Sequence, residues 1–167
     1  MLIKRTFLLF IAFFICILPV SASFLSDGAA SGGRYRKFHS TMRATYYIDT
    51  ASICPVRYDP PFYTIIGDYW TELYDSDGPV LVKYSCIFYY DFDSQTMQLL
   101  RRQGGAYDEN GAFLFDMDAD KSAKVVYSPA IAKFSLRTMV GELFFFECYH
   151  MYFNKKLNAD FQRSLYK

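Results

Sequence analysis

Catalytic vocabulary is thin in this chain. It holds two histidines and one tryptophan, and it contains no Gly-x-Ser-x-Gly elbow, no His-Glu-x-x-His helix and no glycine-rich phosphate loop. These absences remove the common signatures of a serine hydrolase, a zinc peptidase and a phosphate-binding enzyme. With only His39 and His150 to join the cysteines, and no Cys-x-x-Cys pair, no structural zinc site is expected. A dominant charge of either sign is also lacking. The formal net charge is +1, and removing Lys4 and Arg5 with the first 22 residues leaves 16 basic side chains against 17 acidic ones. Bulk attraction to nucleic acid is therefore excluded as an organising property.

What is present at the N-terminus is an export pattern. Lys4 and Arg5 precede an apolar run over residues 7–18, Pro19 ends it, and Val20, Ser21 and Ala22 offer the small side chains that signal peptidase needs. The run is about 12 residues, short of the ~20 that a bilayer-spanning helix requires. Residues 1–22 therefore read as a signal peptide cleaved after Ala22. Cys16 follows Phe14 and Ile15, too bulky for a lipoprotein signal. The expected product is a soluble exported protein, periplasmic or secreted, with no stable membrane insertion. Cys54, Cys86 and Cys148 remain after cleavage. An oxidising compartment permits one disulfide among them, with a buried thiol left over.

Residues 23–44 are expected to form a flexible leader. Small residues and glycines fill its first half, and Arg34, Arg36, Lys37, His39 and Arg43 follow, interleaved with Tyr35 and Phe38. Such a cluster suits an anionic surface, such as a lipid headgroup, a sulfated glycan or an acidic protein; as a solvated arm it would bind nothing.

One globular domain is expected over 45–154, with a polar tail over 155–167. Aromatic residues make up 20% of the chain, which tilts the class toward β structure. The central signal is the stretch 80–93, where Val80, Val82, Tyr84, Cys86, Phe88, Tyr90 and Phe92 alternate with Lys83, Ser85, Asp91 and Asp93. A period of two with one apolar face predicts a half-buried inner strand. Strands are also expected over 45–53, 62–74, 96–103, 112–117 and 123–127. Pro55, Asp59, Pro60 and Pro61 are read as a loop, Ser76-Asp77-Gly78 and Asp108-Glu109-Asn110-Gly111 as turns, and Gly104-Gly105 as a bulge. After Pro129 the period changes: Met139, Leu143, Phe146, His150 and Phe153 follow helical spacing, with Thr138 in N-cap position and Glu142 in the first turn. The expected fold is α+β, an antiparallel sheet of about six strands packed by one C-terminal helix.

Two carboxylate groupings have spacings that chemistry could use. Asp68 and Glu72 share a strand face as an acid and base would, but the wet side of a sheet carries such residues for solubility. Asp116, Asp118 and Asp120 open like a calcium loop, yet Lys121 and Tyr127 stand where that loop needs glycine and glutamate. Trp70 and the tyrosine-rich strands fit either a core or a binding face. No catalytic, cofactor or metal residue is expected.

Several of these pieces carry a resemblance. Tyr47-Ile48-Asp49-Thr50-Ala51-Ser52-Ile53, Asp93-Ser94, Tyr107-Asp108-Glu109-Asn110-Gly111, Pro129 and Gly141-Glu142 leading to Cys148 together resemble the bacterial surface-adhesin protein E family over about residues 45–148. The resemblance implies an antiparallel sheet with a packed C-terminal helix, and attachment to host matrix and serum proteins without catalysis. Ser94 stands at the family's first cysteine, and the lipid attachment is missing. The resemblance places Cys148 near Ser94, about 26 Å along the strand from Cys86. On that placement the bridge expected is Cys54 to Cys86.

The function expected from all this is a non-catalytic, exported interaction protein that binds a macromolecule, a host matrix protein or a cell-envelope component, through an exposed sheet face or edge. The alternative is a small exported enzyme or small-ligand binder with a pocket of roughly 300 Å³ or more between sheet and helix.

Overall fold

The computed structural model describes residues 24–25, 32–75, 78–131 and 135–155. The expected signal peptide, the tail beyond residue 155 and the turn residues Ser76 and Asp77 lie outside them. Among the described residues seven strands, β1 (Tyr35–Ser40), β2 (Ala44–Asp59), β3 (Phe62–Asp75), β4 (Gly78–Asp91), β5 (Thr96–Tyr107), β6 (Phe113–Met117) and β7 (Lys124–Tyr127), precede one helix, α1 (Leu136–Tyr149). Every pairing is antiparallel and the order is β1-β2-β3-β4-β5-β6, with β7 also paired to β5. This is the expected α+β architecture, and the alternation of β4 places Cys86, Phe88 and Tyr90 under the helix. No helix among the described residues is long and apolar enough to cross a membrane.

Four local expectations are corrected. The basic cluster is not a loose leader: Tyr35–Ser40 is a strand registered from Tyr35 opposite Asp49 to Ser40 opposite Thr45. The expectation weighed charge and overlooked Tyr35 and Phe38, which bury against opposite faces. The segment with Pro55 stays in β2, opposite Ile65, because β1 covers β2 only as far as Asp49. Beyond that point the proline faces an open strand edge and forfeits no ladder bond. The bulge between β4 and β5 falls at Arg102, not at Gly104-Gly105, which pair with Tyr84 and Lys83. Gly104 is needed there because a Cβ would stand 3.0 Å from Met117 and 3.2 Å from the Tyr84 ring.

Nor does the expected bridge from Cys54 to Cys86 form. Cys54 lies opposite Ile66 and Cys86 opposite Gly67, so all of β3 separates them. Two inter-strand steps amount to about 10 Å, beyond the ~7 Å reach of a disulfide. Cys54, Cys86 and Cys148 are all free thiols, with Cys54 exposed and Cys86 buried.

The helix begins one turn earlier than its apolar stripe suggests. Ser135 is the N-cap, its hydroxyl accepting the Thr138 backbone N–H while Thr138 reaches back to the cap, so Thr138 closes a capping box. It ends where His150 turns left-handed, and its N–H donates to the Phe146 carbonyl at 2.8 Å. Phe144 and Phe145 pack edge-on against Phe88 and Tyr63, and Tyr90 donates its hydroxyl to the Gly141 carbonyl at 2.8 Å. Close approach depends on two glycines. A Cβ on Gly141 would overlap Met97 Sδ and stand 2.9 Å from Phe88, and one on Gly67 would stand 2.6 Å from the Phe144 ring.

Glu142 is buried mid-helix, not in the first turn as expected. The chain folds back after His150 and covers it, with the Phe153 and Asn154 N–H groups donating to its oxygens at 3.2 and 3.0 Å. Gln95 clamps the same segment through the Phe153 carbonyl and the Lys155 N–H. Burial raises the Glu142 carboxyl from 4.5 to about 7, against the two N–H bonds, which favour the anion.

Gly141→Ala should destabilise the protein by about 1–3 kcal/mol, despite alanine's better helix propensity, because the methyl overpacks Met97 and Phe88. Urea unfolding followed by far-UV circular dichroism measures this. Glu142 binds its proton more tightly folded than unfolded, so its stabilising share is complete below pH 4.5 and is lost as pH rises through about 7. The loss amounts to ~3 kcal/mol. Glu142→Gln should flatten that part of the pH dependence, and equal slopes in the two proteins would refute the assignment.

Candidate functional site

Helix and strand lengths create the site. Fourteen helical residues span about 21 Å, whereas the fourteen residues of β3 or β4 span about 46 Å. The helix roofs the half of the sheet that carries Ile65, Phe88 and Tyr90 and leaves the other half open. A cleft of about 580 Å³ lies there. Its floor is the inward face of β3 and β4, with Tyr69, Thr71, Val82 and Tyr84; β6 and β7 supply Met117 and Val125 at one side, and Ser135, Leu136 and Arg137 at the helix start close it.

Formal charge in the cleft comes from two arginines, beside the hydroxyl-bearing Tyr46, Tyr69, Thr71, Tyr84 and Ser135, and among the described residues no acid or histidine lines it. Arg101 projects from β5 on the face that also carries Met97 and Leu99. Its Nε and Nη2 donate to Asp120 at 2.9 and 3.2 Å, and its guanidinium lies 5.2 Å from the Tyr84 ring centroid. Asp120 also accepts from Lys124 at 2.6 Å, and the two cations hold its carboxyl far below the usual range. The Asp120 N–H donates to the Arg101 carbonyl at 2.8 Å, which ties the 118–123 segment to the strand. Arg137 is exposed in the first helical turn and has no ion-pair partner among the described residues.

Tyr69 is only 5% exposed, its ring 5.2 Å from that of Tyr84, and its hydroxyl has no hydrogen-bond partner among the described residues. Burial pushes that phenol above its ordinary value, while Arg101 and Arg137 both pull it down. The Cys86 thiol is pushed up to about 12 by burial, with the same two arginines opposing. A thiol so raised is no nucleophile at neutral pH.

The residues singled out by sequence are placed elsewhere. Arg34 is bidentate to Asp49 at 2.8 and 2.7 Å, Arg36 pairs with Glu147 of the helix, and His39 stacks on Tyr46. Strand alternation sends Tyr35 and Arg36 to opposite faces, so Arg34, Arg36, Lys37, His39 and Arg43 do not form one patch. Asp68 pairs with Lys83, and Glu72 accepts from Tyr47 at 2.9 Å, both on the far face of the sheet. Trp70 packs there too, against Phe24, Tyr35 and Tyr107. Sequence reasoning missed Arg101 and Arg137, although each broke a local rule. Arg101 is a charge in register with an apolar strand face, and Arg137 is a cation in a helix's first turn, where the dipole favours acids.

No family model matches this chain, and the comparisons with curated proteins and with solved structures found no match to it.

Proposed function

We propose that this chain is an exported, non-catalytic binding protein that holds a small ligand in the cleft beside the start of α1. The observation that carries the reading is a 580 Å³ space walled by aromatic and aliphatic side chains with a few convergent polar groups, the usual form of a small-molecule site. The non-catalytic part is supported by the cleft's chemistry. Among the described residues neither an acid nor a histidine lines it, and the nearby Cys86 thiol is held protonated by burial.

One observation favours the other reading, a protein that binds a macromolecule through its sheet edge. Phe113, Leu114 and Phe115 of β6 are each about half exposed at the margin of the sheet, an apolar strip suited to another macromolecule. Such a partner would meet the strip without entering the cleft.

A neutral fluorophore separates the two. N-phenyl-1-naphthylamine should bind with one-to-one stoichiometry and brighten. Val82→Trp on the cleft floor and Val125→Trp at its mouth should each abolish the signal with far-UV circular dichroism unchanged, whereas Phe115→Lys should leave it intact. Loss of the signal in Phe115→Lys alone would move the site to the sheet edge.

A further inference from the structure

The cleft has a charge pattern that an apolar ligand would leave unanswered. Arg101, Lys124 and Asp120 together carry one net positive charge, and Arg137 adds another that nothing among the described residues offsets. A cation in the first turn of a helix also opposes the helix dipole, so Arg137 stands where the fold alone gives no reason for it. Tyr69 supplies an independent sign. Its side chain is 5% exposed and lines the cleft, and its hydroxyl, which makes no hydrogen bond among the described residues, opens into that space as a donor.

Taking the cleft as a ligand site, we propose that its ligand is an amphipathic monocarboxylate, an apolar chain or ring system ending in one carboxylate that engages Arg137, Arg101 and the Tyr69 hydroxyl. Each part of that ligand meets a complement. The planar guanidinium fork matches a carboxylate and gives charge-assisted bonds. Arg101 keeps the donors that Asp120 does not use, since among the described residues only its Nε and Nη2 are engaged. Val82, Val125, Leu136 and Met117 provide the apolar wall. A phosphate monoester fits less well, because its second charge would have to be desolvated against that wall. A neutral lipid would leave Arg137 and Tyr69 unpaired.

Titration calorimetry on the chain as purified from its producing cell tests this with three probes of one tail length, decanoate, decan-1-ol and decyl phosphate, each below its micelle concentration. Decanoate should bind about tenfold or more tighter than decan-1-ol, and tighter than decyl phosphate. Arg137→Gln and Tyr69→Phe should weaken decanoate and leave decan-1-ol unchanged, while Val82→Trp should remove both. Equal binding of decanoate and decan-1-ol would overturn the carboxylate and leave the cleft reading standing, as would a preference for decyl phosphate. Failure of all three probes to bind would overturn both.

Discussion

A helix rises less than half as far per residue as a strand, and that mismatch governs this molecule. Long paired strands, which the meander from β2 to β5 makes continuous, outrun any fourteen-residue helix laid on them. The covered half becomes a dense aromatic core around Phe88, Phe144, Phe145 and Phe153. The uncovered half keeps inward-pointing side chains of the same apolar type and becomes a cleft. Gly67 and Gly141 sharpen the division, since they bring the helix down until its rings touch the sheet.

Around the cleft, charge is arranged with economy. Asp120 neutralises Arg101 and orients it, and the same contact fastens the 118–123 segment along β5. Arg137 is left outward from that network, exposed on the helix's first turn. One guanidinium is thus held in place and the other is free to adapt, a division of labour common in sites that fix one end of a small molecule. On the opposite face, Arg34 with Asp49, Lys83 with Asp68 and Glu72 with Tyr47 form a separate polar layer around Trp70.

The fold was largely legible from residues whose signal is local. The alternation through β4, the Asp108 to Gly111 turn and the period change before α1 each rest on chemistry within a few positions, and each survives in three dimensions. What was not legible depends on distant partners. Glu142 looks like a first-turn carboxylate until the segment carrying Phe153 and Asn154 folds over it, and Pro55 looks like a breaker until β1 is seen to stop short of it. The basic cluster misled for a related reason: its charges hid a strand whose aromatic members bury. A pocket between sheet and helix was foreseen only as an alternative, and its place was not legible, because it is the space that two lengths fail to fill, though Arg101 and Arg137 marked its rim as breaches of pattern.

The shared pairing of β5 has its own consequence. Its outer margin is divided between β7, opposite Met97 to Leu99, and β6, opposite Gly104 to Tyr107, with the Asp120 N–H bonded to the intervening Arg101 carbonyl. A foreign chain aligning with this flank therefore meets two short rungs of five and four residues rather than a continuous template. Cross-chain stacking into fibrils needs long, uninterrupted ladders, and here the flank that would seed it is broken at the very residue that serves the cleft.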